Sequence, residues 1–227
     1  MILSANQPYF SPFPGFFRKA LACDVLVILD EVQFPRGTTW ISRNRFKNDQ
    51  GALWITIPVW KKGLGLQRID QVKICNEGRL RHKHLESIKA AYGHAPYFAE
   101  HLDFVTEIFS GCFERLIDLN MAIIKYLMKS LEIETKVMLL SESGATGKGT
   151  GLLVEVCKAL GAGTFLAQTR AAKYLDPETF RKRGVELQYL LYRAPVYPQL
   201  WGDFIADLSA FDLVFTCGPK ARDILLR

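Results

Sequence analysis

No stretch of this chain approaches the roughly 20 consecutive apolar residues that a membrane span needs. Its most apolar runs, 24–29 and 137–140, have the length of strands. The first residues, Met1-Ile2-Leu3-Ser4, carry neither the basic segment nor the small-residue cleavage site of a secretory leader. A soluble cytoplasmic protein with no membrane span is expected. Cysteine is scarce: Cys23, Cys75, Cys112, Cys157 and Cys217 are odd in number and form no C-x-x-C. That spacing excludes a zinc ribbon or a thioredoxin-like redox pair, and a reducing compartment disfavours disulfides. Histidine is scarcer still. His82 and His84 are two residues apart and point to different faces of a helix, so they cannot chelate as an i, i+4 pair would. There is no H-E-x-x-H and no G-x-S-x-G, and no metal site is expected. The glycine-rich stretch 144–150 (G-A-T-G-K-G-T) fails the G-x-x-x-x-G-K-[ST] spacing, which disfavours a nucleotide-hydrolase loop and leaves a helix start suited to some anion. Repeats and low-complexity linkers are absent.

What is present is enough for a substantial core. Of 227 residues, 49% are hydrophobic and 12% aromatic, which excludes global disorder. The net charge of +6 and an isoelectric point near 9.1 favour anionic partners. The excess is spread along the chain, densest at 79–89, and forms no nucleic-acid-binding arm.

Periodicity divides the chain in three. Residues 1–30 read as strand, helix and strand, with D-V-L-V-I-L-D at 24–30 resembling a strand buried on both faces. Between 34 and 59 the pattern shifts to antiparallel pieces, with 52–59 the surest strand. The middle third is helical: 82–92, then 98–131 broken near Gly111, have apolar residues at i, i+3, i+4. A second alternating stretch places strands at 136–140, 164–167 and 185–191 around a helix at 151–160. Asp176-Pro177 marks the start of another helix, which Gly184 ends. The block L-S-A-F-D-L-V-F-T-C-G at 208–218 reads as a hydrophobic strand and turn before a terminal helix at 219–226. The whole predicts one α/β domain over 1–227: a mostly parallel sheet flanked by helices, Rossmann-like, with a helical insertion at about 80–131.

Two segments concentrate chemistry. N-Q-P-Y-F-S-P-F-P-G-F-F at 6–17 is a turn stiffened by prolines and aromatics between a strand and its helix. D-E-V-Q-F-P-R-G at 30–37, followed by W-I-S-R-N-R at 40–45, combines carboxylates with Arg36, Arg43 and Arg45, which can fork onto phosphate or carboxylate, and Trp40, which can stack on a ring.

These two segments, together with W-I-T-I-P-V at 54–59, H-L-E-S-I-K-A-A-Y-G-H-A-P-Y-F at 84–98 and the block at 208–218, resemble in their order the WbqC-like protein family. The resemblance implies a place in bacterial surface-polysaccharide (O-antigen, lipopolysaccharide) biosynthesis and a role in acylating an amino sugar, for example with a glycyl group. It highlights Gln7, Tyr9, Asp30, Gln33, Trp40, Arg43, Asn44, Trp54, His84 and Tyr92, while Ser11 stands where the family usually has an aromatic. The first turn also looks distantly like that of the nucleotidylyltransferase (HUP) superfamily, but Pro14-Gly15-Phe16 replaces its Gly-His and no K-M-S-K-S counterpart exists.

The function expected is an acyl or aminoacyl transferase forming an amide on an amino sugar carried on a nucleotide. A non-catalytic nucleotide- or sugar-precursor-binding protein, and an ATP-dependent nucleotidylyltransferase or ligase, are the alternatives. Amide formation needs a base, oxyanion donors and phosphate anchors. Asp30 or His84 is expected as base, Gln7 and Asn44 as donors, Arg36 and Arg43 as anchors, and Trp40 and Tyr9 as stacking surfaces, with Gln33 and Tyr92 completing one cleft at the carboxyl ends of the first two strands. The partner expected is a small anionic molecule, a nucleotide-sugar or an activated acyl donor; aminoacyl-tRNA as donor is the one nucleic acid considered. No cofactor is specified. A third reading makes Cys217 an acyl-carrying nucleophile, activated by the helix start at Gly218-Pro219.

Overall fold

The computed structural model describes residues 1–111 and 113–227; Cys112 lies outside the described residues. In chain order the elements are β1 (Ile2–Asn6), α1 (Pro14–Ala20), β2 (Val25–Ile28), β3 (Arg43–Asn48), β4 (Gly51–Thr56), α2 (Leu80–Tyr92), α3 (Phe98–Ser110), α4 (Leu116–Ser130) and β5 (Lys136–Leu139). There follow α5 (Gly149–Ala159), β6 (Thr164–Gln168), α6 (Pro177–Lys182), β7 (Glu186–Leu190), α7 (Ala210–Cys217) and α8 (Ala221–Leu226). They form two compact units. The first comprises residues 1–7, 15–32 and 133–193, the second 8–14, 33–132 and 194–227.

The first unit is built on a parallel sheet in the order β5-β2-β1-β6-β7, flanked by helices, which is a Rossmann-like arrangement. Its sequence logic is visible strand by strand. All four residues of β2 are buried, as a strand with a neighbour on each side and layers on both faces requires, whereas the edge strand β7 is partly exposed throughout. Leu3, Val25, Val27, Phe165 and Val185 pack with Leu152, Val156 and Cys157 of α5 and Phe180 of α6 into one apolar cluster. Asp176 caps α6 through its side chain, accepting from the Glu178 N–H, with Pro177 at the first helical position. Chain direction across the sheet reverses between β1 and β6, so the carboxyl ends of those strands, at Asn6 and Gln168, mark the topological switch point.

The second unit joins an antiparallel hairpin, β3–β4, to a helical cluster of α2, α3, α4, α7 and α8. The hairpin pairs Arg43 with Thr56 and Asn48 with Gly51, whose φ of +105° suits the tight turn. The strand expected over 52–59 ends at Thr56, and Val59 bridges Ile74 instead. The apolar block at 208–218 is a correction: it forms helix α7, not a strand. Seven of the eight residues of α7 are buried, so no polar face revealed its helical period, and a short run apolar on every side reads equally as a buried strand. Ser209 starts it by accepting from the Phe211 N–H. Phe211 and Phe215 of α7 stack at 5.1 Å, with Phe46, Tyr92, Phe98 and Tyr126 around them. The terminal helix starts at Ala221, behind a short 3-10 turn.

Candidate functional site

The second unit carries the densest arrangement of the expected side chains. Alternation along β3 sends Asn44 and Phe46 inward and leaves Arg43 and Arg45 on the other face, where Arg45 pairs across the hairpin with Trp54. There the Arg43 guanidinium lies 3.6 Å over the Trp54 ring, and Trp54 stacks on Trp40 at 5.7 Å with the planes 30° apart. Arg45 sits 6.0 Å from both indoles. Trp40 and Trp54 are 45% and 43% exposed, so this three-layer stack faces solvent rather than the core. The two arginines differ. Arg45 donates from its guanidinium to the Ala206 and Asp207 carbonyls, whereas the Arg43 side chain makes no hydrogen bond among the described residues; the Nε of each is buried without a partner. An indole pair backed by an uncommitted guanidinium can take a flat ring and an anionic oxygen together.

The inward-facing residues explain why the stack holds its shape. Asn44 Nδ2 donates to the Phe10 and Ser11 carbonyls at 3.2 and 2.6 Å, fixing the proline-rich turn in which Ser11 has a φ of +48°. The Phe10 N–H in turn donates to the Trp40 carbonyl at 2.8 Å. Asn120 of α4, fully buried, donates to the Pro8 and Ile41 carbonyls, so turn and tryptophan loop are tied to one helix. Asn44 therefore spends its amide on backbone. Tyr9, half-buried in that turn, has its hydroxyl pKa raised by burial.

Tyr92 and His84, both on α2, are buried. The Lys47 N–H donates to the Tyr92 hydroxyl at 2.9 Å, and that hydroxyl donates to Asp212 at 2.8 Å. Burial, and then the adjacent Asp212 carboxylate, hold the Tyr92 pKa well above its ordinary value; burial also raises that of Asp212. Lys47, buried as well, donates from Nζ to Gln199 and the Asp203 carbonyl. His84 packs edge-on to Phe109; burial lowers its pKa and keeps the imidazole neutral, with Nδ1 unpartnered among the described residues. Gln33 and Arg36 are exposed on the loop before Trp40. Arg36, with Lys61, Phe34 and Gln67, lines a pocket of about 290 Å³.

Gln7 and Asp30 belong to the first unit. Gln7 is half-buried just past β1, and Asp30 is buried past β2, accepting from the Ser141 N–H at 3.1 Å and the Ser141 hydroxyl at 2.6 Å. Also there, and not anticipated, is Lys19. Its ammonium is buried and forms no ion pair among the described residues, donating instead to the Ala5 carbonyl and to Asn6 Oδ1, and burial lowers its pKa to about 8. Nothing in the sequence distinguishes Lys19 from the surface lysines. By contrast, Arg45 and Trp54 stood out in the sequence, the one among the forking arginines and the other through the family resemblance; what the R-N-R and W-I-T alternation adds is that they share one face of the hairpin. Among the described residues no three His, Cys, Asp or Glu side chains gather as a metal-holding group. Cys217 ends α7 and caps the short 3-10 turn Gly218–Lys220, not a helix of any length, and burial raises its thiol pKa, which disfavours a thiolate there.

A family model described as the WbqC-like protein family matches residues 7–224. The chain is also 28% identical, over 96% of its own length and 95% of the relative's, to the uncharacterized protein Rv1507c of Mycobacterium tuberculosis (strain ATCC 25618 / H37Rv). No solved structure matches it. No helix among the described residues is long and apolar enough to cross a membrane.

Proposed function

The chain belongs to the WbqC-like protein family, and from that membership and the solvent-facing Arg43–Trp54–Trp40 stack we propose that it acylates an amino sugar presented on a nucleotide. The stack is the observation that carries the reading. A free guanidinium layered on two exposed indoles matches a ligand that has both a flat ring and phosphate oxygens, as a nucleotide-sugar does. Trp40 offers the outer ring face, Arg43 the phosphate contact, and Arg36 at its pocket a second anchor. Asn44 and Tyr92 act as positioning residues, the one through the 8–14 turn and the other through β3, with Tyr9 and Gln33 beside the ligand.

Amide formation requires the amine of the sugar to lose a proton as it attacks the acyl carbon. The neutral imidazole of His84 is in the protonation state a base needs, which makes it the stronger choice in the second unit. Asp30, with Gln7 as an oxyanion donor, is the corresponding choice in the first. The hydrogen bonds that engage both Asp30 oxygens tell against Asp30 as that base; with neither group active, the second reading is a protein that binds a nucleotide-sugar without turning it over.

The test is to incubate the protein with nucleotide-linked amino sugars and a panel of aminoacyl and acyl donors, following both binding and product mass. The transferase reading expects a mass increase equal to one acyl group. In Arg43→Ala the ligand should bind about 10- to 100-fold more weakly, the loss of one charge-assisted pair. Binding without product in every combination supports the binding-protein reading, and no binding at all overturns both.

A further inference from the structure

The 60–67 loop of the second unit has a composition that the stacked site does not use. Trp60, Leu64 and Leu66 are 43%, 53% and 56% exposed, three large apolar side chains within seven positions. Single exposed leucines are ordinary, but a cluster of this kind marks a surface that meets something. Lys61 and Lys62 sit among them, and no acidic residue occurs from 60 to 67. The next carboxylate along the chain, Asp70, is held by Arg68 through two hydrogen bonds.

The base of the loop is fixed while its tip stands in solvent. The Trp60 N–H donates to the Lys73 carbonyl, the Trp60 carbonyl accepts from Gln67 Nε2, and the Phe34 N–H donates to the Gln67 carbonyl. Gly63 and Gly65, with φ of +77° and +64°, let the tip turn twice around Leu64 in a backbone region that side-chain-bearing residues rarely adopt. The stem therefore presents Leu64 and Leu66 at the tip, an indole at the base and the Lys62 ammonium beside it. The Lys61 ammonium lies 4.9 Å over the Phe34 ring and donates to the Gly37 carbonyl at 3.4 Å, contacts it exchanges for a lipid phosphate on docking.

An indole at headgroup depth, leucines reaching the acyl boundary and lysines extending toward phosphates are what a bilayer interface selects. Protein interfaces are instead depleted in lysine, so the charge pattern favours lipid over a protein partner. We propose that the 60–67 loop docks this protein on an anionic lipid bilayer, with Leu64 and Leu66 entering the interface and Lys61 and Lys62 meeting lipid phosphates. Lys61 and Leu66 also line the pocket where Arg36 is proposed as a second anchor, so vesicle binding without any nucleotide-sugar is what separates lipid docking from that reading.

Flotation of the full chain with phosphatidylcholine vesicles, with and without phosphatidylglycerol, tests it. The expected result is partition into the phosphatidylglycerol vesicles that high salt abolishes. On the same vesicles the Lys61→Ser/Lys62→Ser variant should partition about 30-fold less, since each lysine near an anionic surface contributes roughly a factor of five. Leu64→Ser/Leu66→Ser should lose binding as well, and both variants should keep the wild-type urea midpoint because the replaced groups are exposed. Failure of the wild type to bind anionic vesicles, or binding by either double variant equal to that of the wild type, overturns the proposal. So does tryptophan quenching by soluble glycerol phosphate without vesicle binding, an outcome that would assign the loop to the neighbouring pocket.

Discussion

Replacing Tyr92 by Phe removes one oxygen from the second unit and leaves the ring where it is, 5.2 Å from Phe215 and 6.3 Å from Phe46. That oxygen serves two buried groups. It accepts from the Lys47 N–H and donates to the Asp212 carboxylate, and no water-exposed alternative exists for either because all three residues are buried. An orphaned buried amide costs about 1–3 kcal/mol and a carboxylate deprived of its donor somewhat more, so a loss of about 4 kcal/mol is expected near neutral pH. For a chain of this length that is a fall in Tm of roughly 8–16 °C.

The same variant has a pH signature. The folded-state pKa of Asp212 is raised by burial above its unfolded value, so its contribution to stability is complete below the unfolded pKa and is lost as pH rises through the folded one. The Tyr92 hydroxyl lowers the folded pKa, and its removal raises that pKa further. The deficit of Tyr92→Phe is therefore largest at alkaline pH and shrinks toward acid, where a protonated carboxyl no longer needs the donor. Urea unfolding of both proteins between about pH 8 and about pH 5, compared as differences, measures this. A deficit below about 1 kcal/mol near neutrality, or one equal at both ends, would refute the reasoning.

Gly218→Ala should destabilise more than most single changes. The backbone there has a φ of +50°, and an added Cβ would lie 2.5 Å from the Tyr97 ring carbons, so a loss of about 3 kcal/mol or more in urea unfolding is expected. Lys19→Met should remove a pH dependence. With a folded pKa of about 8 against 10.5 unfolded, wild-type stability rises across that interval by about 3 kcal/mol, and the variant lacks the rise; parallel curves would contradict it. Iodoacetamide on the native protein should modify the half-buried Cys75 before Cys23, Cys157 and Cys217, as read by peptide mass spectrometry; Cys217 reacting as fast as Cys75 would favour the activated-thiol reading.

Much of the first unit was legible before any coordinates. The unbroken apolar run of β2, the Asp176-Pro177 start of α6 and the alternation of strands with helices each point to a parallel sheet, because burial on both faces and capping leave local traces. The last block misled for a physical reason: α7 is packed on all sides, and a helix without a polar face loses its period. Lys19 and Lys47 were illegible because a lysine buried among carbonyls and amides carries the same letter as one in water.

From sequence alone came the apolar faces of the parallel strands, the Asp176-Pro177 helix start, the family, and the loops that gather arginine and tryptophan. Only the tertiary structure decided what each polar end meets. Asn44 and Arg43 are neighbours in sequence, yet alternation across β3 commits one to the Phe10 and Ser11 carbonyls and lays the other on Trp54, eleven positions along the chain. Periodicity fixes a side chain's direction within its own element, but its partner comes from whichever distant segment loop closure brings opposite. Tyr92 meets Asp212 across 120 residues on that account.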